Sequence, residues 1–130
     1  MRLQHLDHLV LTVRDIEVSC DFYSRVLGME IITFAGDRKA LKFGQQKINL
    51  HLFGREFEPK AAQPTPGSAD LCFLTDLPLT HVQTHLQACG VSICAGPVER
   101  TGANGPILSI YLRDPDDNLL EIANPLLDRS

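Results

Sequence analysis

Four residues of ligand type stand at matched places in this chain: His8, His51, Asp70 and Glu121. His8 opens the apolar stretch His8-Leu9-Val10-Leu11-Thr12, and Asp70 opens Asp70-Leu71-Cys72-Phe73-Leu74. His51 closes Gln46-Lys47-Ile48-Asn49-Leu50-His51, and Glu121 closes Asp116-Asp117-Asn118-Leu119-Leu120-Glu121. Two imidazoles and two carboxylates on rigid strands make a donor set for one divalent ion with a position open to substrate. A single histidine on a strand carries no such implication. The weight comes from recurrence at equivalent positions. His81 and His85 have the i, i+4 spacing that can bind zinc, but they flank the Val82 and Leu86 stripe with no third ligand nearby and read as solvent-facing. His5 reads as exposed, and Asp7 is placed to orient His8 from outside the ligand set. No glycine-rich phosphate loop, no G-x-S-x-G and no supported Cys–His pair is present, which disfavours nucleotide-dependent chemistry and serine or cysteine hydrolysis.

The elements that must position these residues follow from periodicity. Leu6 to Val13 alternates as a strand, with Leu9, Leu11 and Val13 on one face and His8 and Thr12 on the other. Asp15 is placed to cap a helix whose stripe is Ile16, Cys20, Tyr23 and Leu27, and Gly28 follows as its stop. Strands are expected over Met29–Phe34, Lys39–Phe43 and Lys47–Phe53. Residues 55–68, rich in proline and glycine, read as a linker. The order then repeats: a strand over Ala69–Thr75, a helix over Pro78–Cys89 stopped by Gly90, a strand over Val91–Cys94, a loop over Ala95–Pro106, and strands over Ile107–Arg113 and Asn118–Ala123. The expectation is an α+β fold of two β-α-β-β-β modules, residues 1–54 and 69–125, with a loose tail over 126–130, forming a curved mixed sheet around a metal site. Each half is too small to bury its own sheet face, so the halves pair with one another or with another chain.

The bulk numbers narrow the function. A chain of 130 residues is one domain by length, and 44 % hydrophobic residues supply a core. The formal charge of −4, with no basic block, makes nucleic acid and anionic membranes poor partners. No apolar run approaches the ~20 residues of a membrane span and no signal-type segment opens the chain, so a cytoplasmic location is expected. Cys20, Cys72, Cys89 and Cys94 form no C-x-x-C pair and are expected as reduced, buried thiols.

Three stretches carry a resemblance. They are Asp7-His8-Leu9-Val10-Leu11-Thr12-Val13-Arg14-Asp15, then Phe22-Tyr23-Ser24-Arg25-Val26-Leu27-Gly28-Met29-Glu30, then Tyr111-Leu112-Arg113-Asp114-Pro115-Asp116-Asp117-Asn118-Leu119-Leu120-Glu121-Ile122. Together they resemble the vicinal oxygen chelate superfamily, which includes glyoxalase I, extradiol dioxygenases, methylmalonyl-CoA epimerase, fosfomycin thiol transferases and bleomycin-binding proteins. The segments Lys47–His51 and Pro66–Cys72 look like a glyoxalase-domain subgroup resembling lactoylglutathione lyase-like proteins.

The resemblance implies a metal held by His8 and Glu121, with His51 near the first module's last-strand position and Asn49 at the same strand parity. Asp70 stands where the family usually has histidine, and Asp117 replaces a common turn glycine, a substitution an Asp tolerates. It also implies a metal-dependent lyase or isomerase resembling glyoxalase I. Such an enzyme acts on a small oxygen-chelating substrate such as a glutathione hemithioacetal, with a divalent ion (Zn, Ni, Mn or Fe), glutathione as co-substrate and Glu121 as base. An extradiol-type ring-cleavage dioxygenase with Fe(II) and a non-catalytic small-molecule binding or resistance protein are the alternatives. A homodimer is expected, with the site within one chain or shared across two.

Overall fold

The computed structural model describes residues 1–126. Residues 1–68 and the chain from Ala69 onward form two compact units, each a β-α-β-β-β module. The first comprises β1 (His8–Val13), α1 (Ile16–Arg25), β2 (Glu30–Phe34), β3 (Arg38–Phe43) and β4 (Gln46–Leu52). The second comprises β5 (Asp70–Leu74), α2 (Leu79–Ala88), β6 (Ala95–Gly102), β7 (Gly105–Arg113) and β8 (Leu119–Pro125). The sheets have orders β1-β4-β3-β2 and β5-β8-β7-β6, and in each the first strand runs parallel to the last. Among the described residues, no helix is long and apolar enough to cross a membrane.

In module one, Leu11, Val13, Leu41, Ile48 and Leu50 are buried with Cys20, Phe22, Tyr23 and Val26 of the α1 segment. Asp15 caps α1, its Oδ1 accepting from the Val18 N–H at 3.0 Å, and Gly28 beyond the helix has φ +69°, a conformation costly for any residue with a Cβ. In module two, Ile110, Leu112, Leu120 and Ile122 are buried with Leu79, Val82 and Leu86 of α2. The first helical N–H of α2, on Leu79, donates to Asn124 Oδ1 of β8 at 2.9 Å. A β8 side chain thereby supplies the cap that Pro78 cannot.

Two expectations need correction. Val91–Cys94 is not a strand, and the sixth strand lies within the stretch expected as a loop, Ala95–Gly102. Its sequence, Ala-Gly-Pro-Val-Glu-Arg-Thr-Gly, lacks the apolar alternation of a strand because it pairs on one edge only, with β7. Gly96 is required there: a Cβ would lie 2.4 Å from the Ser109 carbonyl oxygen. Second, the four cysteines are free, but only Cys20 is buried, while Cys72 and Cys94 are exposed. Cys72 lies on the sheet face that α2 does not cover. Of the expected tail, residues 127–130 lie outside the described residues, and the Leu126 N–H donates to the Pro106 carbonyl at 2.9 Å.

Candidate functional site

Each module leaves one sheet face uncovered by its helix, and the candidate residues stand on these faces. In module one, β1 pairs with β4 so that His8 faces Lys47, Val10 faces Asn49 and Thr12 faces His51. In module two, Asp70 faces Leu119 and Cys72 faces Glu121. His8 and Asp70 are therefore equivalent, but the equivalent of Glu121 is Asn49, not His51. His51 corresponds to Ala123, one step further along the face. The sequence pairing of His51 with Glu121 is off by two residues, which preserves the face and so leaves no trace in the apolar pattern.

Spacing separates the two candidates. With strands about 4.8 Å apart and a rise of about 3.3 Å per residue, His8 and Asn49 have Cα atoms about 8 Å apart, whereas His8 and His51 are about 14 Å apart. The shorter diagonal makes His8 and Asn49 neighbours on one face, while His51 lies a further step along the strand. Asp70 and Glu121 lie on the same short diagonal in module two.

His8 is half-exposed, and its Nδ1 bonds Asp7 Oδ2 at 2.8 Å, leaving Nε2 to face outward. That hydrogen bond holds the Asp7 carboxyl below the usual range. Asn49 is 8 % exposed, and its Oδ1 is buried with no hydrogen-bond partner. An orphaned buried acceptor is a recurrent cost, typically 1–3 kcal/mol, unless something binds it. His51 is buried against the edge of Phe57, ring centroids 5.5 Å apart. Burial, then the Arg38 charge, pull its pKa below the ordinary value against an opposing effect of Glu56. Both effects favour the neutral imidazole of His51.

Glu121 is half-buried beside two residues that the sequence did not mark. The fully buried Ser109 hydroxyl donates to its Oε2 at 2.5 Å, and Cys72 stands opposite it on β5. The bond from a buried donor restrains the orientation of the carboxylate. If Glu121 serves as a base, Ser109→Ala is expected to lower kcat about tenfold with little change in KM, the effect of one lost hydrogen bond of about 1–1.5 kcal/mol. Steady-state kinetics on the two proteins check it.

Burial, then the Glu121 charge and hydrogen bond, then Asp70, push the Cys72 thiol up to about 11. At pH 8 its thiolate population is about a hundredfold below that of an ordinary thiol. Iodoacetamide is therefore expected to modify Cys72 correspondingly slowly despite its exposure. Glu121→Gln removes the neighbouring charge and should accelerate the modification, as peptide mass mapping over time would reveal.

Glu121 and Cys72 also line a cavity of about 570 Å³ in module two with Leu74, Arg100, Asn104 and Ile107, a size suited to a small molecule. Arg100 Nε donates to the Tyr111 hydroxyl at 3.0 Å, and Tyr111 faces Glu121 across β7 and β8. His81 and His85 are exposed on α2. Within the described residues no cluster of three His, Cys, Asp or Glu side chains is formed.

Comparison with known proteins follows the same lines. The chain is 58 % identical over 123 residues to the virulence protein STM3117 of Salmonella typhimurium, covering 95 % of this chain and 85 % of that protein. The crystal structure of STM3117 superposes with a TM-score of 0.95, covering 97 % of this chain and 100 % of that one. The glyoxalase domain-containing protein RDO1 of Mycosarcoma maydis is 55 % identical over 124 residues, covering 95 % of this chain and 70 % of that protein. Lactoylglutathione lyase from Agrobacterium tumefaciens shares the fold at 23 % identity, with a TM-score of 0.72 over 95 % of this chain and 96 % of that one. The family model described as the Glyoxalase/Bleomycin resistance protein/Dioxygenase superfamily matches residues 5–122, and the chain belongs to that superfamily.

Proposed function

We propose that this protein is a metal-dependent lyase or isomerase that moves a proton between adjacent carbons of a small oxygen-chelating substrate, a glutathione hemithioacetal being the test case. One observation carries the reading. Glu121 is held by Ser109 on the open face of module two, with Asp70 on its short diagonal, and module one presents His8 and Asn49 in the same relation.

The residues fit a divalent ion. His8, fixed through Nδ1 by Asp7, offers Nε2, Asp70 and Glu121 offer carboxylate oxygens, and the orphaned Oδ1 of Asn49 supplies a further acceptor. One nitrogen with oxygens is a hard-to-borderline set suited to zinc, nickel, manganese or iron. We assign Asn49 rather than His51 as the second donor of module one, because only the short diagonal lets it share an ion with His8. When bound, the ion would act as a Lewis acid on two substrate oxygens.

Glu121 carries the chemistry. Its carboxylate takes the proton from the carbon bearing hydroxyl and sulfur and returns it to the neighbouring carbonyl carbon, while the hydroxyl proton passes to the neighbouring oxygen. The hemithioacetal becomes a hydroxyacyl thioester, and no external oxidant or reductant is needed. Ser109 keeps the carboxylate aimed while it is charged and while it carries the proton. The cavity beside Glu121 is lined by Leu74 and Ile107, which favour exclusion of water from the transfer. An extradiol dioxygenase needs two histidines and one carboxylate on one face. Here Asp70 occupies the position from which the resemblance would draw the second histidine, which favours the lyase.

The test is isomerisation of the methylglyoxal–glutathione adduct by protein loaded in turn with zinc, nickel, cobalt and manganese. Turnover with at least one ion is expected. Absence of turnover with all four rejects the lyase assignment.

The chain is further proposed to act as a homodimer in which His8 and Asn49 of one chain serve Asp70 and Glu121 of the other. His8→Ala and Glu121→Ala chains, each inactive alone, should recover activity when refolded together. Proven heterodimers without activity would reject the shared site.

A further inference from the structure

We infer that the open face of module one carries an oxyanion subsite, formed by Arg38 and Lys47, for a carboxylate or phosphoryl group. If the proposed reaction holds, this subsite anchors the anionic end of its substrate. The subsite itself stands on the residues of module one alone.

The two cations converge on one ring. The Arg38 guanidinium carbon lies 5.3 Å from the centroid of Phe34 and 4.1 Å from that of Phe57, and the Lys47 ammonium lies 4.3 Å from that of Phe34. Both charges therefore lie within ~10 Å of one another, about one Debye length at 0.1 M salt, so solvent ions screen their repulsion only partly. Cation–π contact orients each head group but leaves its charge uncompensated.

The acids of the linker and of β2 have partners of their own. Glu56 pairs with Lys60 at 3.9 Å and accepts from the Gly54 N–H at 2.7 Å. Glu30 stands opposite Lys42, which in turn stands opposite Lys47. Lys47 thus stands between Lys42 on β3 and His8 on β1, and Asp7, the acid that attracts it, is already bonded to His8. In a chain whose formal charge is −4, this local excess of positive charge is out of keeping with the whole. Arg38 and Lys47 are both half-buried, so their positions are restrained by the rings rather than by solvent. A guanidinium offers paired N–H groups to two oxygens of one anion, and an ammonium adds a third donor without fixed direction. Carboxylate and phosphoryl groups both satisfy that arrangement.

Calorimetric titration of the full chain at low salt, with inorganic phosphate in one arm and acetate in the other, tests the subsite. Saturable binding of at least one anion is expected, weakened tenfold or more in Arg38→Gln and in Lys47→Met. Lys39→Ala should stay within twofold, because Lys39, next to Arg38 in β3, lies on the opposite sheet face, where its charge acts on Cys20 of α1. Binding of phosphate alone assigns a phosphoryl group, and binding of acetate alone a carboxylate. Arg38→Gln removes a packed side chain, so Lys47→Met decides if that variant fails to fold. No saturable binding, binding unchanged in Lys47→Met, equal loss in Lys39→Ala, or binding abolished by prior chelation of metal would each overturn the inference. Turnover is not read, so failure here leaves the proposed reaction standing, and failure of the reaction leaves the subsite standing.

Discussion

Glu121→Gln is expected to lower kcat by about a thousandfold, within the 10²–10⁴ span that a positioned general base contributes. The substitution keeps the shape and one oxygen acceptor, so the Ser109 donor retains a partner and the fold is preserved. What it removes is the negative charge and the capacity to take a proton. In the proposed site the same charge helps to hold the ion, so the ion content of the variant should fall as well. Kinetics at saturating metal separate the two effects. If loading with excess ion restores full metal content while kcat stays low, the loss lies in proton transfer. Activity near that of the parent would remove Glu121 from the chemistry.

Asp114→Ala is expected to destabilise the protein by about 3–5 kcal/mol, because several hydrogen bonds to one buried carboxylate are lost together. Asp114 and Asn118 are 5 % and 1 % exposed. Asp114 Oδ1 accepts from the N–H groups of Asp116 at 2.8 Å and Asn118 at 2.9 Å, and its Oδ2 accepts from Asn118 Nδ2 at 2.8 Å. Asn118 Oδ1 in turn accepts from the Ala69 N–H at 2.9 Å, directly before Asp70. This turn therefore fixes the starts of both β5 and β8, and with them Asp70 and Glu121. Asp117, at φ +66°, closes the turn without a glycine. Urea denaturation followed by circular dichroism measures the loss. Asp114→Asn, which keeps one acceptor oxygen, should lose less than Asp114→Ala.

Much of this arrangement was legible in the residues, for local reasons. The Asp15 cap, the stop at Gly28, the two helical stripes and the alternation of β1 depend only on neighbours along the chain. The duplication was legible too, and it placed His8 against Asp70 correctly. What failed depends on pairing between strands. A two-residue shift in β4 leaves every apolar residue on its own face, so composition could not distinguish Asn49 from His51 as the partner of Glu121. The edge strand β6 has no buried face to impose a pattern and read as loop. Ser109 and Cys72 looked like ordinary small residues in apolar strands, because their role comes from lying beside Glu121 across two ladders. The stacking of Arg38 and Lys47 on Phe34 is of the same kind: three residues on three strands, unremarkable until the sheet brings them together.

The central claim is that one ion is held by His8, Asn49, Asp70 and Glu121. A crystal structure of the metal-loaded protein, with the ion located by anomalous scattering, tests it most directly. The predicted result is a single ion bonded to His8 Nε2 and to carboxylate oxygens of Asp70 and Glu121, with Asn49 Oδ1 as a ligand and His51 outside the coordination sphere. An ion seated on His81 and His85, or on His51 without His8 and Glu121, would contradict it.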